Sequence, residues 1–311
     1  MTIERSLQRY CGRFAPSPTG PLHFGSLVAA VGSYLDARRH DGLWYLRMED
    51  VDRQRCPSGM SSEILHLLDD YGFEWDGEVI YQSLRDGSYR AALEHLHAAG
   101  RVFPCTCTRN ELADSQLSPP VRLASDGALI YPGTCRTGLS QGRSARTWRL
   151  RVNDESICFD DAIQGRIEQD LPGAVGDFVL LRADGFFAYQ LAVVVDDAEQ
   201  GISHVVRGAD LLYSTPRQIL LQRLLGLPTP RYGHLPVALN AAGEKLSKQS
   251  HAVPLCRSQA IPAVLAALRF LGQEPPLELH DAALGELWQW AIANYSPDKV
   301  PHSHAVVESF T

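Results

Sequence analysis

Arg13-Phe14-Ala15-Pro16-Ser17-Pro18-Thr19-Gly20-Pro21-Leu22-His23-Phe24-Gly25-Ser26 is the stretch whose reading decides the fold. Residues 13–15 read as a short strand that Pro16 and Pro18 stop. Gly20-Pro21 marks a turn. Over residues 25–39 the apolar side chains Leu27, Val28, Val31, Tyr34 and Leu35 recur at helical spacing. Strand, Gly/Pro loop and helix together open a nucleotide-binding α/β fold. Gly20 and Gly25 allow backbone to approach a ligand without a Cβ in the way. The helix start offers N–H groups and a positive dipole end, which suit phosphate. His23, just before it, can donate a hydrogen bond to a phosphoryl oxygen. The bland alternative is a turn that only joins strand to helix.

Outward from this stretch, residues 43–48 form a second apolar strand ending in Glu49-Asp50. Ser61 or Ser62 can cap a helix that runs to Tyr71, with Ile64, Leu65, Leu67 and Leu68 on or near its buried face. Residues 87–99 read as another helix. Residues 186–195 read as a long buried strand ending in Asp196-Asp197. Residues 205–208 read as a strand leading to a helix over 215–225. Dense apolar residues over 261–271 and 282–293 predict two further helices. Between about 103 and 182 the character changes, with cysteines, several Pro and Gly, and short alternating stretches such as 147–152.

The expected fold is therefore α/β: a Rossmann-like doubly wound parallel sheet with an inserted α+β subdomain and a small C-terminal helical unit. The expected boundaries are 1–102 and 183–257 for the two halves of the catalytic domain, 103–182 for the insertion and 258–311 for the helical unit.

A chain of 311 residues with 45% apolar composition can bury a real core. A formal net charge of −7 disfavours indiscriminate nucleic-acid binding, yet leaves room for one basic face. Seven cysteines, in a chain too long to need disulfide staples, point to buried thiols or metal ligands. The polar start Met1-Thr2-Ile3-Glu4-Arg5 shows no apolar signal region, and runs such as 191–195 are far too short to span a bilayer. A reducing, cytoplasmic protein away from membranes is expected.

A second segment, Lys245-Leu246-Ser247-Lys248-Gln249, also suits phosphate, because a lysine ammonium can neutralise charge on a departing pyrophosphate. Alone it would be a solvated basic loop. Together, the two segments resemble the HIGH and KMSKS motifs of class I aminoacyl-tRNA synthetases, spelled here His23-Phe24-Gly25-Ser26 and Lys245-Leu246-Ser247-Lys248-Gln249. The longer run from Arg13 to Gly20 resembles the glutamate branch of that class, with Ala15, Ser17 and Thr19 where the glutamine enzymes usually differ. The resemblance implies ATP-driven activation of a carboxylate. It assigns catalysis to His23, Lys245 and Lys248, and ATP binding to His23, Gly25, Ser26 and Lys248, with Mg2+ accompanying the ATP.

Glutamate needs fixed cations for its side-chain carboxylate and an anion for its ammonium. Arginine forks suit the former, and such a site rejects glutamine because the amide leaves the donors poorly matched. The resemblance places Arg13 and Arg207 as the cations, Glu49 as the ammonium partner and Tyr189 as a wall with a polar tip. The resemblance also implies that Ala15 and Ser17 line the same substrate site. The alternatives are a structural ion pair of Glu49 with Arg53 and a core role for Tyr189. Val51 departs from the threonine usual in full glutamyl-tRNA synthetases.

Cys105-Thr106-Cys107 is followed by Tyr131-Pro132-Gly133-Thr134-Cys135. Three thiolates and one further donor would close a tetrahedral structural zinc site, making the insertion zinc-bearing. The resemblance implies Tyr131 as the fourth ligand. Cys11, Cys56, Cys158 and Cys256 have no such spacing and read as ordinary thiols.

About sixty residues follow Ser250 in this 311-residue chain, room for a small helical unit but not for an anticodon-binding domain. Over about residues 10–275 the chain resembles the glutamyl-queuosine tRNA(Asp) synthetase family, including Gln249 at the end of the second motif, the run 206–212 and the Tyr/Cys pattern. That implies activation of L-glutamate with ATP in the absence of tRNA. Glutamate is then transferred onto queuosine in the anticodon loop of tRNA(Asp). A monomer is expected. The competing readings are a truncated glutamyl-tRNA synthetase charging the tRNA 3′ end and a non-catalytic glutamate or nucleotide sensor.

Overall fold

The computed structural model describes residues 9–114, 129–240, 242–246 and 253–307. β1 (Cys11–Phe14) runs into the Pro-rich loop and then α1 (Phe24–Arg38). β2 (Leu43–Met48) returns parallel to β1, with Cys11 opposite Leu43 and Phe14 opposite Leu46. After α2 (Met60–Asp70), β3 (Ile80–Tyr81) adds to the other edge of β2, again in parallel. α3 (Asp86–Ala98) leads into β4 (Val102–Cys105) and α4 (Arg109–Asp114). β5 (Thr147–Leu150), the hairpin of β6 (Ser156–Asp161) and β7 (Gly165–Asp170), the short α5 (Leu171–Ala174) and β8 (Val179–Leu181) follow. β4, β5 and β8 make a small antiparallel sheet.

α6 (Tyr189–Glu199) then delivers the chain to β9 (His204–Gly208), α7 (Thr215–Leu225) and β10 (Arg231–Leu235). β10 pairs in parallel with β9 on one side and with β6 on the other. The stretch 103–182 thus supplies both a local antiparallel layer and one strand beside β10. β1 lies next to β9, where the Ser203 N–H donates to the Cys11 carbonyl at 2.9 Å. The strand progression reverses between β1 and β9. In parallel α/β sheets the crevice at the carboxyl ends of the strands flanking such a reversal is where ligands bind. α1 can press against β10 beside this junction because Gly32 lacks a Cβ; one built there would stand 2.5 Å from Leu235 Cδ1.

Two apolar cores flank the sheet. In the first, the Tyr34 ring lies 5.0 Å from Trp44, 5.3 Å from Phe73 and 5.0 Å from Trp288, centroid to centroid. Trp288 belongs to α9 (Leu284–Asn294), which with α8 (Ala260–Phe270) packs on α1. The C-terminal helices therefore share the core of the N-terminal half. They are followed by a strand, β12 (Ala305–Val307), parallel to β11 (Val237–Leu239).

Two sequence expectations need correction. Residues 186–195 do not form a strand: from Tyr189 the chain is helical. Leu191 through Asp197 are all buried, so the run carries no period that separates a strand from a helix. Packing of α6 against α3 and α7 overrides the β preference of three successive valines. The second correction is at α2, which begins at Met60 with Gly59 in the N-cap place. Ser61 and Ser62 lie inside its first turn rather than capping it. The helix over 215–225 and the strand over 43–48 fall where the sequence predicts them.

Candidate active site

The carboxyl ends of β1 and β9 and the start of α1 enclose a cleft of about 270 Å³. Arg13, Ala15 and Ser17 enter it from β1 and its loop; His23, Gly25 and Ser26 enter it from α1. Glu49 comes from the end of β2, Tyr189 from the start of α6, Arg207 from β9, and Lys245 from the segment beyond β11. The described residues among those expected to bind nucleotide and amino acid, far apart in sequence, thus line one cavity. The two motifs touch at Gly25, where a Cβ would stand 3.3 Å from the Leu246 carbonyl oxygen. Lys245 Nζ reaches Asp210 Oδ2 at 2.7 Å, which ties its segment to the loop after β9. His23 is the N-cap residue of α1, with Nε2 3.3 Å from Ser26 Oγ. The first turn of that helix leaves backbone N–H groups without intrahelical acceptors, as an anion site requires. Ser247, Lys248 and Gln249 lie outside the described residues.

The β1 wall is a buried ionic lattice. Arg13 donates through Nε to Asp197 at 3.2 Å. Arg47, fully buried on β2, donates to the same Asp197 oxygen at 2.8 Å and to Gln200 at 2.6 Å, with Glu49 at 3.7 Å and Asp196 at 3.8 Å. Burial works against the Arg47 charge, but Asp197, Glu49 and Asp196 outweigh it. Burial likewise opposes ionisation of Asp197, yet Arg13 and Arg47 hold its carboxyl below the usual carboxylate range. Asp196 accepts from Arg85, Gln82 and Tyr89 at 2.7, 2.7 and 2.8 Å.

Glu49 stands at the cleft edge of this lattice, its backbone N–H fixed to the Pro16 carbonyl at 3.0 Å. Burial pushes its carboxyl up to about 7, because Arg47 and Arg13 are already shared with Asp197 and Asp196. The alternative pairing with Arg53 does not occur; Arg53 pairs with Asp86 at 3.3 Å. Tyr189 packs against the second core and also forms a wall of the cleft, and burial followed by the charge of Glu49 pushes its phenol up to about 12. It enters the cleft as a neutral hydroxyl.

The β9 wall is different. Arg207 is 5% exposed, and its hydrogen-bond partners are all neutral groups. Nε donates to His234 Nε2 at 3.1 Å, and Nη2 donates to Thr215 Oγ1 and Gln218 Oε1, both at 2.8 Å. Nη1 has a long contact of 3.4 Å to the Tyr189 hydroxyl. Among the described residues Arg207 has no ion pair. A buried cation of this kind is suited to an anionic ligand.

Away from the cleft, Cys105, Cys107 and Cys135 bring their sulfur atoms within 4.8 Å of one another. The Tyr131 hydroxyl lies 3.5 Å from Cys105 Sγ and 3.8 Å from Cys107 Sγ, and accepts the Cys135 N–H at 2.7 Å. Three sulfurs and a phenol oxygen around one point fit a tetrahedral cation. All seven cysteines are free thiols.

The family profile of class I tRNA synthetases (E and Q), catalytic domain, matches residues 11–260. The chain is 58% identical over 299 residues to a glutamyl-Q tRNA(Asp) synthetase of Aromatoleum aromaticum, covering 96% of this chain and 93% of that protein. It is also 58% identical over 298 residues to one of Dechloromonas aromatica, covering 96% and 98%. The chain belongs to the glutamyl-Q tRNA(Asp) synthetase family. Its fold is that of a glutamate tRNA ligase from Elizabethkingia meningosepticum, solved in complex with its amino acid, with a TM-score of 0.78 at 24% identity, over 97% of this chain and 67% of that one.

As a member of the glutamyl-Q tRNA(Asp) synthetase family the chain is an ATP-dependent ligase of the class I synthetase type. No helix among the described residues is long and apolar enough to cross a membrane. Sequence reading missed the groups that hold this family member's cleft residues in place: Arg47, Asp196 and Asp197 behind Arg13, and Thr215, Gln218, His234 and Asp161 behind Arg207. One signal was available. Arg47 interrupts the apolar run 43–48, and a charge inside a buried strand demands buried partners.

Proposed function

We propose that the chain activates L-glutamate with ATP to glutamyl-adenylate, without tRNA, and transfers the glutamyl group onto queuosine in the anticodon loop of tRNA(Asp). Support comes chiefly from the cleft that the two phosphate-suited segments share with Arg207, a buried cation whose partners are all neutral. The names of the relatives carry the choice of tRNA(Asp) and of the modified base.

In this reading the α-carboxylate of glutamate attacks the α-phosphorus of ATP and pyrophosphate leaves. Catalysis is positioning and charge stabilisation. His23, Gly25 and Ser26 at the start of α1 hold phosphate oxygens. Lys248, assisted by Lys245, neutralises the departing pyrophosphate, with Mg2+ brought in by the nucleotide. For Lys245 this entails exchanging Asp210 for phosphate. Arg13 and Arg207 take the side-chain carboxylate, Glu49 takes the ammonium, and Ala15, Ser17 and Tyr189 shape the pocket. A queuosine hydroxyl then attacks the adenylate carbonyl and AMP leaves. A splayed loop base is how single-stranded RNA is usually read. Cys105, Cys107, Cys135 and Tyr131 hold one structural zinc, which braces the β4 region.

The test is where labelled glutamate goes. Incubation with ATP and tRNA(Asp) is expected to label tRNA that contains queuosine and not tRNA that lacks it. Label released with the 3′-terminal nucleotide would contradict the reading and favour charging of the tRNA end. Lys248→Ala is expected to slow adenylate formation far more than it weakens glutamate binding.

A further inference from the structure

Arg207 is held from behind. Nε–H and the Nη2 corner are taken by His234, Thr215 and Gln218, which leaves Nη1 as the corner that meets the cleft. His234 is fully buried and sits between Arg207 and Asp161, whose Oδ2 lies 2.5 Å from His234 Nδ1. Asp161 is fixed in turn through its other oxygen. Oδ1 accepts the backbone N–H groups of Ile163 at 3.0 Å, Gln164 at 2.9 Å and His234 at 3.0 Å.

These contacts settle where the imidazole proton is. Arginine offers only donors, so His234 Nε2 must present a lone pair to the Arg207 Nε–H. The proton then sits on Nδ1 and is donated to the Asp161 carboxylate. A doubly protonated ring would set N–H against N–H beside a cation. Burial first, and then the charge of Arg207, push the imidazole down to about 4 against the pull of Asp161 and Asp210. The Tyr232 ring, stacked 6.1 Å away, and the Thr215 hydroxyl, 3.2 Å from Nε2, complete its surroundings without adding charge.

We propose that Asp161 and His234 are positioning residues for substrate selection: the carboxylate fixes the imidazole tautomer, and the imidazole fixes the plane of the Arg207 guanidinium toward the side-chain carboxylate of glutamate. This rests on Arg207 being the carboxylate anchor, and it adds what orients that anchor. A guanidinium that cannot turn holds its Nη1 donors in one direction. A carboxylate satisfies them, whereas the amide of glutamine sets N–H groups against them.

Asp161→Asn tests this with little change of shape. The three backbone N–H groups at Oδ1 keep an oxygen there, so the new NH2 faces His234 Nδ1. His234 must then accept at Nδ1 and carry its proton on Nε2, against the Arg207 Nε–H. In ATP–pyrophosphate exchange the glutamate KM is expected to rise roughly tenfold, with the ATP KM unchanged and a smaller preference for glutamate over glutamine. Nitrogen-15 spectra of His234 are expected to place the proton on Nδ1 in the parent and on Nε2 in the variant. An unchanged glutamate KM, an unchanged tautomer, or a parallel rise of both KM values overturns the proposal.

Should Asp161→Asn not fold, His234→Gln and His234→Leu replace it. The Gln variant keeps an acceptor for Arg207 and most of the glutamate affinity, and the Leu variant loses it; equal KM values overturn the relay. Arg207→Gln, run in parallel, separates the two levels. If it too leaves the glutamate KM unchanged, the glutamate reading of the cleft fails. If only Arg207→Gln impairs glutamate, the relay alone fails.

Discussion

Two buried arginines face one cleft and are held in opposite ways. Arg13 on β1 shares Asp197 with Arg47, so its charge is balanced by the protein itself. Arg207 on β9 is held by an imidazole, a hydroxyl and an amide, and Asp161 stands one imidazole away. A buried ion without a counter-ion is costly, and that cost is recovered when a ligand brings the opposite charge. The balanced wall gives the cleft its shape, and the unbalanced wall gives it its appetite for an anion.

The largest effect is expected from breaking the balanced wall. Asp197→Asn removes a carboxylate that two buried arginines share, a change that costs about 3–5 kcal/mol of stability. A lower urea midpoint is the readout. The folded carboxyl of Asp197 is held below its ordinary value, so its stabilisation is present above the unfolded pKa and is lost as pH falls through the folded value. The variant is expected to lose that part of its acid sensitivity. A midpoint equal to the parent's would erase the contrast between the walls.

Arg207→Gln should act on binding rather than folding. Loss of one partner of a buried charge pair costs about 2–5 kcal/mol of affinity, seen as a higher glutamate KM. The urea midpoint is expected to fall less than in Asp197→Asn, because loss of a buried cation offsets the loss of its hydrogen bonds to His234, Thr215 and Gln218. A falling midpoint with unchanged KM would make Arg207 structural.

The smallest effect is one of pH. Glu49 is raised to about 7 in the free protein, so near neutrality part of the population is protonated. A substrate ammonium favours the carboxylate, so binding releases a proton. Glutamate affinity is expected to fall as pH drops below about 7, by at most ~1.4 kcal/mol per pH unit, and to level off above it. Calorimetry in buffers of different ionisation enthalpy reads the proton, and Glu49→Gln should abolish the dependence. PH-independent affinity in the parent would remove Glu49 from the ammonium site.

The two walls were unequally legible in the sequence. The strand, Pro-rich loop and helix at residues 11–38 announce themselves through local chemistry: Pro16, Pro18 and Pro21, the loop glycines Gly20 and Gly25, and a helical period. The helix Thr215–Leu225 is legible for the same reason, with Pro216 in its first turn and Gly226 beyond its end. The helix that carries Tyr189 and Asp197 is not legible in this way, because a run buried on all sides has no period. Arg13, Glu49, Tyr189 and Arg207 are legible as site residues only through the family resemblance. The identity of their partners is tertiary information. Nothing local in the sequence says that Asp161 and His234 share an imidazole proton across parallel strands.

The most direct measurement is ATP–pyrophosphate exchange by the purified protein with single amino acids and no tRNA. Exchange with glutamate, and none with glutamine, is the expected result. No exchange with glutamate, or equal exchange with glutamine, would contradict a cleft built to activate an acidic amino acid.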